Sequence, residues 1–265
     1  MKRLDKFLVE MSVASRSVIK EMAKKGRITV NGEVMKASDI KIDENSDVIA
    51  VDGMIIAFSD MEYFMLNKPA GVITATMDKK AETVLDLIDE RTRNDLFPVG
   101  RLDKDTEGLL LFTNDGQFDQ KLMHPKHHAP KKYYLFATGE LGSEAIDRIE
   151  SGQLLTGEDK PTKGAAMTIT ERGKYEDFEK RFTPKKRFRD NEFNRNRPVF
   201  AATLEIYEGK KHQVKRMMLA EGCRVIYLKR FEIGGVKLDE SLKPGEYRKL
   251  TEAEYDRLMS GDWKN

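Results

Sequence analysis

The densest chemistry in this 265-residue sequence lies in Gly100-Arg-Leu-Asp-Lys-Asp-Thr-Glu-Gly-Leu-Leu-Leu-Phe-Thr-Asn-Asp-Gly116. Asp103, Asp105 and Glu107 alternate ahead of a glycine and an apolar run. Three chemistries compete for such a loop. A calcium loop would use Asp103, Asp105, Glu107 and Gly108 at positions one, three, five and six. Its twelfth position is Asn114 where a bidentate Glu belongs, and the flanks read as a non-helical Pro-Val-Gly-Arg and a strand. A polar surface loop is the plainest reading. The third is a carboxylate that serves as nucleophile or proton acceptor in an enzyme. Such a carboxylate must stay ionised in a dry pocket, which calls for a cation nearby. The helix Gln213-Val-Lys-Arg216 is basic, and its plainest reading is an exposed surface.

Other reactive residue types lead less far. Cys223 is the single cysteine, so an internal disulfide and a Cys-based zinc site are both excluded. His124, His127 and His128 cluster in His-Pro-Lys-His-His, which reads as a polar loop or an RNA contact rather than a metal site.

The elements that must position these groups can be read from periodicity. Leu4, Phe7, Leu8 and Met11 make one face of a short helix. Ser15 caps a second helix that turns Val18, Ile19 and Met22 inward and ends at Gly26. Arg27–Met35 reads as strand, Asn31-Gly32 turn, strand, and a further strand pair closes on Asp52-Gly53. This makes a small α+β unit, residues 1–58. Beyond it, Tyr63–Thr76 reads as an apolar strand broken by Lys68-Pro-Ala-Gly71, with a strand end or bend at Pro69, and further strands are expected at Leu109–Thr113, Lys132–Ala137 and Val225–Leu228. Helices are expected at Thr83–Ile88, Ser143–Ile149, Gln213–Ala220 and after the capping box Thr251–Glu254. Asn114-Asp115-Gly116 is expected to turn the chain. Strands and helices do not alternate regularly, so the class is α+β with a mixed, mainly antiparallel sheet.

Charge is unevenly spread. The formal net charge is only +2, yet residues 1–36 hold nine Lys/Arg against four Asp/Glu. Residues 173–198 hold nine against five, interleaved with Phe178, Phe182, Phe188 and Phe193. That second stretch reads as a basic insertion or long loop, either a clamp built on Lys185, Lys186, Arg187 and Arg189 or a solubilising segment. Two basic clusters in a near-neutral chain favour a polyanionic partner. No apolar run approaches the roughly 18 residues of a membrane span, and acidic Asp5 and Glu10 come too early for a signal peptide. A cytoplasmic protein with no membrane partner is expected.

Residues 1–58 resemble the S-four-type RNA-binding module, through Arg3-Leu-Asp-Lys-Phe7, Ser15-Arg16, Gly26-Arg-Ile-Thr-Val-Asn-Gly32 and Val51-Asp-Gly53. Arg3, Lys6, Arg16, Lys20, Lys24 and Arg27 would then grip RNA phosphates, the alternative being a solvated face. Residues 59–265 resemble the pseudouridine synthases that act on ribosomal RNA. The likeness rests on Gly100-Arg-Leu-Asp103 with Asp105-Thr and Gly108-Leu-Leu-Leu, Asn67-Lys-Pro-Ala-Gly71, Lys131-Lys-Tyr133, Glu208-Gly-Lys-Lys-His-Gln-Val-Lys-Arg-Met217, Arg230, Ile233-Gly-Gly235 and Pro244-Gly-Glu-Tyr-Arg248. The form His-Gln-Val-Lys-Arg-Met is nearest to the small-subunit type, which modifies one uridine of 16S rRNA. Modification of 23S rRNA and a non-catalytic assembly factor are the alternatives.

The resemblance implies isomerisation of uridine to pseudouridine, which needs neither metal nor redox cofactor. It assigns the catalytic carboxylate to Asp103, its basic partner to Lys215 and the stacking ring to Tyr133. Leu228 would wall the flipped base, with Arg101, Arg216 and Lys68 near the substrate. The implied partner is 16S rRNA within a small-subunit assembly intermediate, bound by a monomer.

Overall fold

The computed structural model describes residues 1–11, 13–56, 61–89, 94–124, 128–182 and 195–263. Two compact units emerge, residues 1–62 with 88–97, and residues 63–87 with 98–265. A single boundary at residue 58 therefore misses one segment. Residues 88–97 cluster with the first unit, where the Asn94 N–H donates to the Glu10 carbonyl at 3.1 Å.

In the first unit, β1 (Lys2–Arg3) leads into α1 (Leu4–Glu10) and α2 (Arg16–Lys24), followed by β2 (Ile28–Val30), β3 (Glu33–Val34), β4 (Lys41–Ile42), β5 (Ile49–Val51) and β6 (Met54–Ile55). The sheet order is β3-β2-β5-β6, and β1 pairs separately with β4. Leu4, Phe7 and Leu8 pack with Ile19, Met22, Ile28, Ile49 and Val51 into one core. Both hairpin turns have left-handed residues in pairs, Asn31 and Gly32, then Asp52 and Gly53. Such pairs match the right-handed twist of the strands that they join. Val18 departs from expectation: it is 49% exposed, and Ala23 takes the inward position beside Ile19 and Met22. Ser15 is the N-cap residue of α2, but its hydroxyl lies against Ser17 and does not cap the helix.

The rest of the chain carries β7 (Tyr63–Lys68), β8 (Phe97–Val99), β9 (Glu107–Thr113), α3 (Gly116–Met123), β10 (Lys131–Thr138), α4 (Ser143–Ser151), β11 (Ala165–Lys174), α5 (Tyr175–Phe178), β12 (Pro198–Ile206), α6 (Gln213–Ala220), β13 (Arg224–Ile233), β14 (Val236–Lys237), β15 (Tyr247–Lys249) and α7 (Glu252–Ser260). Its main path runs β11-β12-β10-β13-β9-β7-β15. Neighbours on that path are antiparallel except β13 and β9, which run parallel. The protein is thus α+β, with a mixed, mainly antiparallel sheet.

Three local readings need correction. Thr83–Ile88 is not helical; the Asp86 carboxylate accepts from both the N–H and the hydroxyl of Thr83, a turn that competes with helix. The chain bends at Asn114 as expected, but the segment also opens an unexpected helix: Asp115 caps α3, its Oδ1 accepting from the N–H groups of Gln117 and Phe118. Residues 173–182 belong to the packed body: β11 runs through Lys174, and Tyr175 and Phe178 are buried against Phe136 and Ile226. Lys185, Lys186, Arg187 and Arg189 lie outside the described residues.

Candidate active site

The loop between β8 and β9 carries Asp103, and the segment after β7 holds that loop from behind. Lys68 is fully buried, and its ammonium donates to the carbonyls of Pro69, Lys104 and Thr106 at 2.9, 3.3 and 3.0 Å. The Gly71 N–H donates to the Lys104 carbonyl at 2.7 Å, and the Thr74 hydroxyl to the Leu102 carbonyl at 2.7 Å. Burial pulls the Lys68 ammonium down to about 8, opposed by Asp105, Glu107 and Asp103. Lys68 is therefore a fastener of the loop's backbone. A contact with substrate is not what its position offers, because its donors are directed at the loop's carbonyls.

Across from the loop, α6 presents Lys215. Its Nζ donates to Asp103 Oδ2 at 2.6 Å and also reaches Asp105 Oδ1. One ammonium thus bridges two carboxylates, and the trio carries net charge −1 when all are ionised. His212 sits one turn earlier on the same face, its Nε2 3.4 Å from Asp103 Oδ1. It occupies a left-handed position just before α6. Arg216 does not join them. One residue further along a helix the side chain is rotated by about 100°, and Arg216 donates to Glu158 at 2.8 Å and to the Thr156 carbonyl at 2.7 Å instead.

These groups line a cleft of about 1040 Å³. Arg101 is exposed at its rim, and Tyr133 and Leu228 line it from β10 and β13. Tyr133 is 7% exposed and Leu228 5%, which leaves each a small accessible face. Tyr134 points to the opposite side of the sheet, as strand alternation requires, and its hydroxyl accepts from Arg181 at 2.8 Å. The close approach of β13 to the loop depends on Gly108. It lies at φ +98°, and a Cβ there would come within 2.1 Å of the Arg230 carbonyl.

Thus Arg101, Asp103, Tyr133, Lys215 and Leu228 meet in one cleft, whereas Lys68 and Arg216 do not open onto it. Sequence reasoning assigned no role to His212 or Lys131 and read His128 only as a polar loop or RNA contact, although all three line the cleft. The spacing of His212 and Lys215, with His212 immediately before the helix and Lys215 in its first turn, was the available signal. Burial, which sequence motifs do not report, brings His128 and Lys131 there. It pulls His128 down to about 4.

On the first unit, Arg16, Lys20 and Lys24 follow one another at i, i+4 and i+8 along α2 and all are exposed. Lys24 also approaches Glu21 at 3.4 Å. Arg27 is engaged by Asp52, Arg3 by Asp5 and Lys6 more loosely by Glu10. Among the described residues, no group of three or more His, Cys, Asp or Glu is arranged to hold a metal ion, and no helix is long and apolar enough to cross a membrane.

Comparison with known proteins matches residues 62–220 to the RNA pseudouridylate synthase family and residues 2–48 to the S4 domain. An uncharacterised RNA pseudouridine synthase of Bacillus subtilis is 39% identical, over 97% of this chain and 98% of its own length. The ribosomal small subunit pseudouridine synthase A of Haemophilus influenzae is 34% identical, over 97% and 99%. Its Escherichia coli counterpart is 36% identical, over 95% and 97%. A solved pseudouridylate synthase superposes with a TM-score of 0.62 at 33% identity, covering 97% of this chain and all of that one.

Proposed function

The chain belongs to the RNA pseudouridylate synthase family, and from that premise we propose that it isomerises a uridine of 16S ribosomal RNA with Asp103 as the working carboxylate. The observation that carries the assignment is the Asp103–Lys215 ion pair in a cleft walled by Tyr133 and Leu228. Similarity over almost the whole chain to small-subunit enzymes of two bacteria supports the choice of 16S RNA.

Uracil inside folded RNA is out of reach until the nucleotide swings out. Tyr133 then offers a ring for stacking and Leu228 an apolar wall. Arg101, at the rim, is placed to occupy the gap left behind or to meet a phosphate. Lys215 pairs with Asp103 by charge and a hydrogen bond of 2.6 Å and so fixes the carboxylate in the cleft. The carboxylate acts at the sugar, by attack at C1′ or by taking the C2′ proton. Both routes end with uracil rejoined through C5. Neither route changes the oxidation state or composition of the nucleotide, so this chemistry requires no redox partner. The S4 domain supplies exposed cations on α2 for phosphates, which give affinity without sequence information. The substrate context is an assembling small subunit, met by one copy of the protein in the cytoplasm.

The test is to map pseudouridines in rRNA from a deletion strain by carbodiimide treatment and primer extension. One 16S stop should vanish, return with the wild-type gene and stay absent with Asp103→Asn. Loss of a 23S stop instead would move the substrate to the large subunit. An unchanged map would overturn the rRNA assignment.

A further inference from the structure

The sheet face that floors the cleft carries two cations with no part in that scheme. Lys131 and Tyr133 alternate on β10, Leu228 and Arg230 alternate on β13, and all four line the cleft. Tyr133 and Arg230 are direct cross-strand partners. Lys131 is 3% exposed and Arg230 1%. Among the described residues neither has a carboxylate partner. The Lys131 ammonium donates to the Ala129 carbonyl at 2.9 Å and Arg230 Nε to the Leu109 carbonyl at 2.8 Å. Arg230 Nη2 is buried with no acceptor at all.

Buried cations are ordinarily paired, because desolvation penalises the charged form. Here two adjoin each other without a counter-ion, one with an unused donor, at the floor of a reaction cleft. We propose that Lys131 and Arg230 form a cationic floor that takes up the negative charge of uracil as its bond to ribose breaks. This rests on the reading of the Asp103 cleft as the reaction site.

The charge balance of the reaction calls for such a floor. When the C1′–N1 bond breaks, its electron pair leaves with the base and spreads over N1, O2 and O4. The Asp103 carboxylate is neutralised at the same stage, by bonding to C1′ or by accepting the C2′ proton. One negative charge therefore crosses from the Lys215 side of the cleft to the base. The base turns, and an electron pair of its ring forms the C5–C1′ bond. The carboxylate is restored and the C5 proton is replaced by one on N1. A preorganised donor aimed at charge that develops during the reaction stabilises that stage more than the resting substrate. Burial and the Arg230 charge pull Lys131 down to about 7, and an anion arriving above it acts in the opposite sense.

Leaving-group chemistry tests this. Single-turnover rates are measured at saturating concentrations of a synthetic 16S fragment whose target is uridine or 5-fluorouridine, reading loss of the N-glycoside after nuclease digestion. Fluorine withdraws electrons and stabilises the departing anion, so it substitutes for the floor. Arg230→Gln and Lys131→Met should slow uridine about tenfold or more but 5-fluorouridine only about threefold or less, while Arg230→Lys and Lys131→Arg keep most of the uridine rate. Equal losses on both substrates, or none, would overturn the floor while Asp103→Asn remained inactive. If Asp103→Asn reacted like wild type, the site itself would be misassigned. Should Arg230→Gln fail to melt cooperatively, Lys131→Met and Arg230→Lys carry the comparison.

Discussion

Cations are used in opposite ways in the two units. On the S4 domain several lie at the surface, either open like Arg16 and Lys20 or beside an exposed acid, as Arg27 is beside Asp52. Such pairs contribute little and are screened by salt, so they can be exchanged for phosphates at little cost. In the catalytic unit Lys68, Lys131 and Arg230 are buried, and Lys215 is held between two carboxylates. These charges cannot be exchanged cheaply. The first arrangement suits a grip that must release, and the second suits fixed fields in which bonds break.

Asp103→Asn is the strongest attempt to break this division. It keeps volume, and the rest of the cleft should remain folded. Loss of the carboxylate should lower kcat by several orders of magnitude, about 5 kcal/mol or more, with RNA binding almost unchanged. Tritium release from 5-tritiated uridine reads the rate. Activity within about tenfold of wild type would remove Asp103 from the chemistry.

Lys215→Met should come next. It leaves Asp103 and Asp105 facing each other without their bridge. Because Lys215 is partly exposed, solvent screening limits the loss to about 2–3 kcal/mol in single-turnover rate. Lys215→Arg should recover part of it. A Met variant that outperforms the Arg variant would mean that Lys215 acts through packing alone.

Tyr133→Ala should cost about 1–3 kcal/mol, the worth of a base–aromatic stack. Tyr133→Phe should cost much less. Equal damage in both would give the hydroxyl a part of its own.

Arg16→Glu with Lys20→Glu probes the other side of the comparison. Removing residues 1–58 is a poorer experiment, since residues 88–97 cluster with that unit and would lose their neighbours. The double reversal should weaken RNA binding and flatten the slope of log affinity against log salt by about two contacts. The single-turnover rate at saturating RNA should stay near wild type. An unchanged slope would take α2 out of the RNA interface.

An effect of a different kind is expected on stability. The Lys131 ammonium is pulled from 10.5 to about 7, so the folded chain releases this proton before the unfolded chain does. Between about pH 7 and 10.5 the unfolded state binds more protons, and stability contributed by this group rises with pH. It is lost again as pH falls through 7. Lys131→Met should flatten that rise in chemical denaturation curves.

The parts of the molecule written as local pattern were the legible ones. Asn31-Gly32 and Asp52-Gly53 announced their hairpins, because only such residues tolerate paired left-handed positions. Thr251 and Glu254 announced α7 through reciprocal capping bonds. Asp103 and Lys215 stood out through ordered motifs. By contrast, β11 and β12 were not recognised, since β11 alternates polar and apolar residues weakly towards an exposed edge. The position of Arg216 was misjudged because adjacency in sequence is not adjacency on a helix. Lys68 was misjudged because a motif does not reveal which way its charge faces. The two floor cations were invisible as a pair, being 99 residues apart in sequence and joined only by the register of β10 with β13.

That register, and the parallel pairing of β13 with β9 at Gly108, also governs when the enzyme comes into being. The S4 domain closes through neighbours close in sequence, whereas the cleft needs β13 to thread beside strands made more than a hundred residues earlier. Contacts so distant must wait for loop closure and form slowly. During synthesis all the strands of the S4 unit's own sheet are made long before β13, the last wall of the cleft, follows.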